Sequence, residues 1–163
     1  MISLNISDVR SFMAKLLVNK SFDHLILKEM EIHTFTSFRV TGNFYEDFFS
    51  DEEVEERKQA FVFWGNIREI AYTIIKGEKS PLFMKIVLQI PIEQTASLVE
   101  MIPGIQEEDV GGLYINIRFE KGKLNIITGT AMKTFNLDKH IEREWDSKVK
   151  EFLRQEKISF EEE

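Results

Sequence analysis

The chain has 163 residues, 43% of them hydrophobic, which predicts one α+β domain spanning 1–163 with a core large enough to need no covalent staple. The absence of cysteine excludes disulfides, thiolate nucleophiles and sulfur-based zinc sites, and it suits a reducing cytoplasm. The net charge of −7 is uneven: ten of the 28 acids lie in a run over 46–56 and a tail at 161–163, leaving 18 acids against 21 bases elsewhere.

Ile2, Leu4 and Ile6 alternate and predict a short first strand. Ser7 suits a helix N-cap with Asp8 in the first turn, and Val9, Phe12, Met13, Leu16 and Leu17 follow as one helical stripe. Arg10 and Lys15 interrupt these apolar residues, so the amino-terminal stretch is not read as a signal peptide. No uncharged apolar run approaches the ~20 residues needed to cross a bilayer. Strands are expected over Leu25–Phe35 and Phe38–Tyr45, with turn chemistry at Thr36-Ser37 and Thr41-Gly42-Asn43.

The acidic run then predicts a solvated loop over 46–56, followed by a short strand at Ala60–Trp64. Asn66–Lys76 carries two signals. Ile67, Ile70, Ala71, Ile74 and Ile75 have helical spacing, but the β-rich Ile-Ala-Tyr-Thr-Ile-Ile leads through a turn into the next strand and favours a long hairpin. Leu82–Ile90 predicts a buried strand ended by Pro91, and Ile92–Ile102 a helix stopped by Pro103-Gly104. A hairpin with arms Leu113–Phe119 and Leu124–Thr128 turns at Glu120–Lys123, and a further strand is possible over Thr130–Leu137. Asp138 caps a last helix with the stripe Ile141, Trp145, Val149, Phe152 and Leu153, before a possible edge strand at Ile158–Phe160. The expected architecture is an antiparallel sheet with three helices. Fourteen Phe against three Tyr and two Trp indicate aromatics used as buried bulk.

The chain carries no strong catalytic signature, so no catalytic, cofactor-binding or metal residue is assigned. Lys76-Gly77-Glu78-Lys79-Ser80 lacks the Gly before Lys79 and the upstream Gly of a phosphate-binding loop, and Pro81 opposes a helix there. His140 and Glu144 stand at i, i+4, but two ligands do not make a metal site and an exposed ion pair accounts for them. His24 and His33 have no carboxylates at matching spacing.

Phe12-Met13-Ala14-Lys15-Leu16-Leu17, Phe22-Asp23, His33-Thr34-Phe35, Ile75-Lys76-Gly77 with Pro81, and Thr128-Gly129-Thr130 resemble a small uncharacterised family of bacterial proteins. That resemblance covers nearly the whole chain and implies a bacterial cytosolic origin without supplying an activity. The order strand, helix, three strands over Ile2–Trp64 and again over Leu82–Leu137 resembles the duplicated β-α-β-β-β layout of sliding-clamp domains of DNA replication. Clamps line their hole with basic helices. The Ile92–Ile102 helix has no base and carries Glu93 and Glu100, so duplex DNA is not the expected partner. The expectation is a non-catalytic binding or scaffolding module for a protein partner. The alternative is a small enzyme or small-molecule sensor; a convergent polar pocket would mark it, whereas an apolar groove would mark the first.

Overall fold

A computed structural model describes residues 1–57 and 60–163. The elements in order are β1 (Ser3–Ile6), α1 (Val9–Leu17), β2 (Ile26–His33), β3 (Ser37–Thr41), α2 (Asp51–Arg57), α3 (Trp64–Ile75), β4 (Phe83–Gln89), α4 (Ile92–Glu100), β5 (Val110–Glu120), β6 (Lys123–Met132), α5 (His140–Gln155) and β7 (Phe160–Glu162). The seven strands form one antiparallel sheet in the order β3-β2-β4-β5-β6-β1-β7. Both ends of the chain meet at one edge of it, where β1 lies between β6 and β7.

Strand alternation gives this sheet one apolar and one polar face. A single register row places Met30, Ile86, Ile117, Ile126 and Leu4 side by side across five strands, and all five are fully buried. The next row on the opposite face reads Arg39, Glu31, Lys85, Arg118, Asn125 and Asn5. A bulge between Leu27 and Glu29 absorbs Lys28, so that Leu27 and Met30 share the buried face despite being three residues apart. The β5–β6 hairpin closes through Lys121 and Gly122, both at positive φ (52° and 77°), the backbone of a type I′ turn.

The helices pack against the apolar face through the stripes that periodicity predicted. In α1, Phe12, Leu16 and Leu17 are buried, and in α5 Ile141, Trp145, Val149 and Leu153. Asp8 rather than Ser7 caps α1, accepting from the Ser11 amide at 3.0 Å. The last helix begins at His140, with the Asp138 carboxylate accepting the His140 amide at 2.9 Å.

Among the described residues five helices form where three were expected. Asn66–Lys76, expected as a strand, belongs to α3. β4 already pairs with β2 on one edge and β5 on the other, so no edge remains for a hairpin partner. The helical spacing therefore prevails. Trp64 and Ala71 are buried, and the Asn66 side chain reaches back to accept the Phe63 amide at 3.0 Å. The Trp64 indole donates to the Leu16 carbonyl at 2.9 Å, and Arg68 bonds the Asp23 carboxylate at 2.8 Å, which fastens α3 to α1 and the loop after it.

The acidic run is not a loop either: it contains a 3-10 turn at Glu46–Phe48 and helix α2. Ser50 and Glu53 form a reciprocal cap, the Ser50 amide donating to the Glu53 carboxylate at 2.8 Å and the Glu53 amide to the Ser50 hydroxyl at 3.3 Å. Glu161 and Glu162 of the acidic tail belong to β7. Ala60–Trp64 supplies only isolated bridges at Phe61 and Phe63, and Thr130–Met132 extends β6 instead of forming a new strand. The duplicated clamp layout thus gives way to one continuous sheet. Among the described residues no helix is long and apolar enough to cross a membrane.

Candidate functional site

A cavity of about 400 Å³ is an open slot between α4 and α5 above the middle of the sheet. Its position follows from the chain's punctuation. Pro91 ends the extended run after β4 and starts α4, and Gly104 at φ 84° turns the chain away after Met101 and Ile102. Helix α4 buries Thr95, Leu98 and Val99, which turns Gln94, Ser97 and Met101 toward the slot and solvent. The opposite wall comes from α5. Trp145 and Val149 are buried, Phe152 is half-buried, and Lys148, Glu151 and Gln155 complete the wall at the mouth.

The floor is aliphatic: Leu25, Ile90 and Ile115. The Trp145 indole donates to the Tyr114 carbonyl at 3.0 Å, which fixes its ring as a rigid wall. Polar groups keep to the rim. Lys148 bonds Glu151 of its own helix at 3.4 Å, and the Ser97 hydroxyl donates to the Glu93 carbonyl at 3.0 Å. His24 lies at one end with its ring against Phe152, centroids 5.9 Å apart in an edge-on arrangement. Loss of hydration there lowers the His24 pKa below its ordinary value, while Glu156 and Asp23 pull it weakly upward.

The residues weighed from sequence lie elsewhere or do not assemble. His140 Nε2 stands 3.7 Å from Glu144 on the exposed side of α5, an ion pair at most. His33 bonds Glu31 at 2.9 Å on the polar face of the sheet, where Arg39 also reaches Glu31 at 3.4 Å; these bonds, the His33 one first, hold the Glu31 carboxyl below its ordinary pKa. Among the described residues no group of three or more His, Asp or Glu is placed to hold a metal ion. Lys76–Ser80 is an exposed connection after α3. Trp145, Val149 and Phe152 stand in the predicted stripe of the last helix, but the slot itself was not predicted, because α4 and α5 are separated by about 40 residues and only the fold brings them together. The one local signal was Phe152, which widens the α5 stripe beyond the residues that face the sheet.

No curated protein and no solved structure matches the chain. Residues 15–161 match a family of unknown function, DUF5721, and the chain belongs to it.

Proposed function

We propose that this DUF5721 member is a non-catalytic binding module of the bacterial cytoplasm that docks a protein partner in the slot between α4 and α5. The observation that carries the proposal is an open slot with an aliphatic floor, an aromatic wall at Trp145 and polar groups only at its mouth. Such grooves accept the apolar side chains of a partner segment. The lack of cysteine supports the cytoplasmic setting.

Replacing the exposed Ser97 by a photoreactive benzoylphenylalanine in the native cell tests it, with the same replacement at Asn125 on the opposite face of the sheet as control. A discrete protein adduct from position 97, absent from position 125, is the expected result. Identical adducts from both positions would overturn the proposal. One observation favours a second reading, a small-molecule sensor: the slot volume of about 400 Å³ falls within the range of ligand pockets. A small apolar molecule that co-purifies in the slot, with no protein adduct, would establish the sensor instead.

A further inference from the structure

We infer that the occupant of the slot is a cationic amphipathic helix, its apolar stripe on the floor and its Lys and Arg side chains against the carboxylates at the mouth. This inference rests on the slot being a docking surface and adds the chemistry of what docks there.

The stretch 91–110, which builds one wall and the turn after it, holds five acids (Glu93, Glu100, Glu107, Glu108 and Asp109) and no base. Glu93 and Glu100 precede the slot residues Gln94 and Met101 by one position each. At about 100° per residue that places both carboxylates along the solvent-facing lip of the wall, roughly 10 Å apart along the helix. Both are exposed, and neither has an ion-pair partner among the described residues.

On the other wall the slot lining is balanced, with one acid, Glu151, and one base, Lys148. Glu144 and Glu151 flank Lys148 at helical spacing on α5, and Lys148 is engaged by Glu151 at 3.4 Å. The unanswered charge beside the apolar floor is therefore that of Glu93 and Glu100 on the α4 lip, since Glu151 is engaged by Lys148 and Glu144 by His140. A neutral apolar segment would leave this field unanswered, and an acidic one would be repelled by it. A basic partner neutralises it and is steered toward it.

Length points to a helix. The α4 wall of nine residues is about 13 Å long. A docked helix spans i to i+7 in about 10 Å, enough for three or four apolar anchors within the slot. Met101, 68% exposed at the end of this wall, adds a flexible apolar contact of the kind that adapts to such partners.

The test uses the full chain and two labelled probe peptides of about 14 residues that share one Leu stripe, the remaining positions being Lys in one and Glu in the other. Fluorescence anisotropy should show the Lys peptide binding at least tenfold more tightly, with affinity falling as salt rises. The exposed double substitution Glu93→Lys with Glu100→Lys should lower its affinity about tenfold and improve binding of the Glu peptide. Filling the slot with Ser97→Trp should abolish binding of the Lys peptide. If both peptides bind equally and Ser97→Trp abolishes both, the slot remains a docking surface and the cationic preference is overturned. If the Lys peptide binds regardless of Ser97→Trp, its attraction is to the net charge of −7 alone, and the slot fails as its site.

Discussion

The indole nitrogen of Trp145 donates to the backbone carbonyl of Tyr114 at 3.0 Å, joining the centre of α5 to the strand that runs through the middle of the sheet. Trp145 is therefore both core and slot wall. Trp145→Ala removes a buried ring and should cost roughly 3–5 kcal/mol. Trp145→Phe keeps most of the bulk and removes the indole hydrogen bond, for a loss on the order of 1 kcal/mol. Urea unfolding of both variants checks the ordering. An unchanged midpoint for the Ala variant would show α5 to be peripheral.

The Ser50–Glu53 cap predicts a local effect in a different place. Asp51 to Glu56 packs little against the core, with Val54 as the single half-buried residue, so α2 depends on its first turn. Ser50→Ala removes one side of the cap, worth about 1 kcal/mol to the helix. Limited proteolysis should then cut within 46–56 faster than in the parent chain, while the global melting temperature stays within a degree or two. This segment should also be the first internal cleavage site of the parent. First cleavage inside the β5–β6 hairpin would contradict that.

How far the sequence revealed the fold depended on how local each signal was. The hairpin from Val110 to Met132 was legible because Lys121-Gly122 lies between two alternating runs. The stripes of α1 and α5 were legible because each buries one clean face. Asn66–Lys76 was misread because its Ile content fits strand and helix alike, and the choice was made by β4 having no free edge. The acidic residues of α2 carried no apolar period, so its start was visible only in the Ser50–Glu53 pair. The slot was the least legible part, being formed by residues near 25, 90–101, 115 and 145–155.

His24 and Glu31 are two of the groups whose shifted pKa values make the stability depend on pH. His24 has a folded-state pKa below its unfolded value of about 6.5, chiefly through burial. The unfolded chain therefore binds more protons between the two values, and stability falls as the pH drops through that window. Glu31 is held low first by its bond from His33, so its contribution is present above its unfolded pKa and is lost at still lower pH. Thermal unfolding between pH 7.5 and 5 should show the first loss, and His24→Gln should flatten it. A profile identical in the variant would remove His24 as its source.

Duplex DNA should not be a ligand. Phosphate tracking requires clustered, unengaged Lys and Arg, because released counterions drive the binding. Three bases on the open face of the sheet are already paired: Lys85 with Glu29 at 2.7 Å, Arg118 with Glu120 at 3.1 Å and Arg39 with Glu31 at 3.4 Å. Arg10 and Lys20 are exposed around α1, with Lys15 half-buried between them, too few to cover a backbone groove. Helix α4 has no base, and its Glu93 and Glu100 would face the phosphates with the wrong sign. Anisotropy with a labelled duplex at low salt should give no saturable binding in the micromolar range. Tight binding that weakens steeply with salt would instead assign the protein a nucleic-acid role, and the acidic lip of the slot would then have to lie away from that surface.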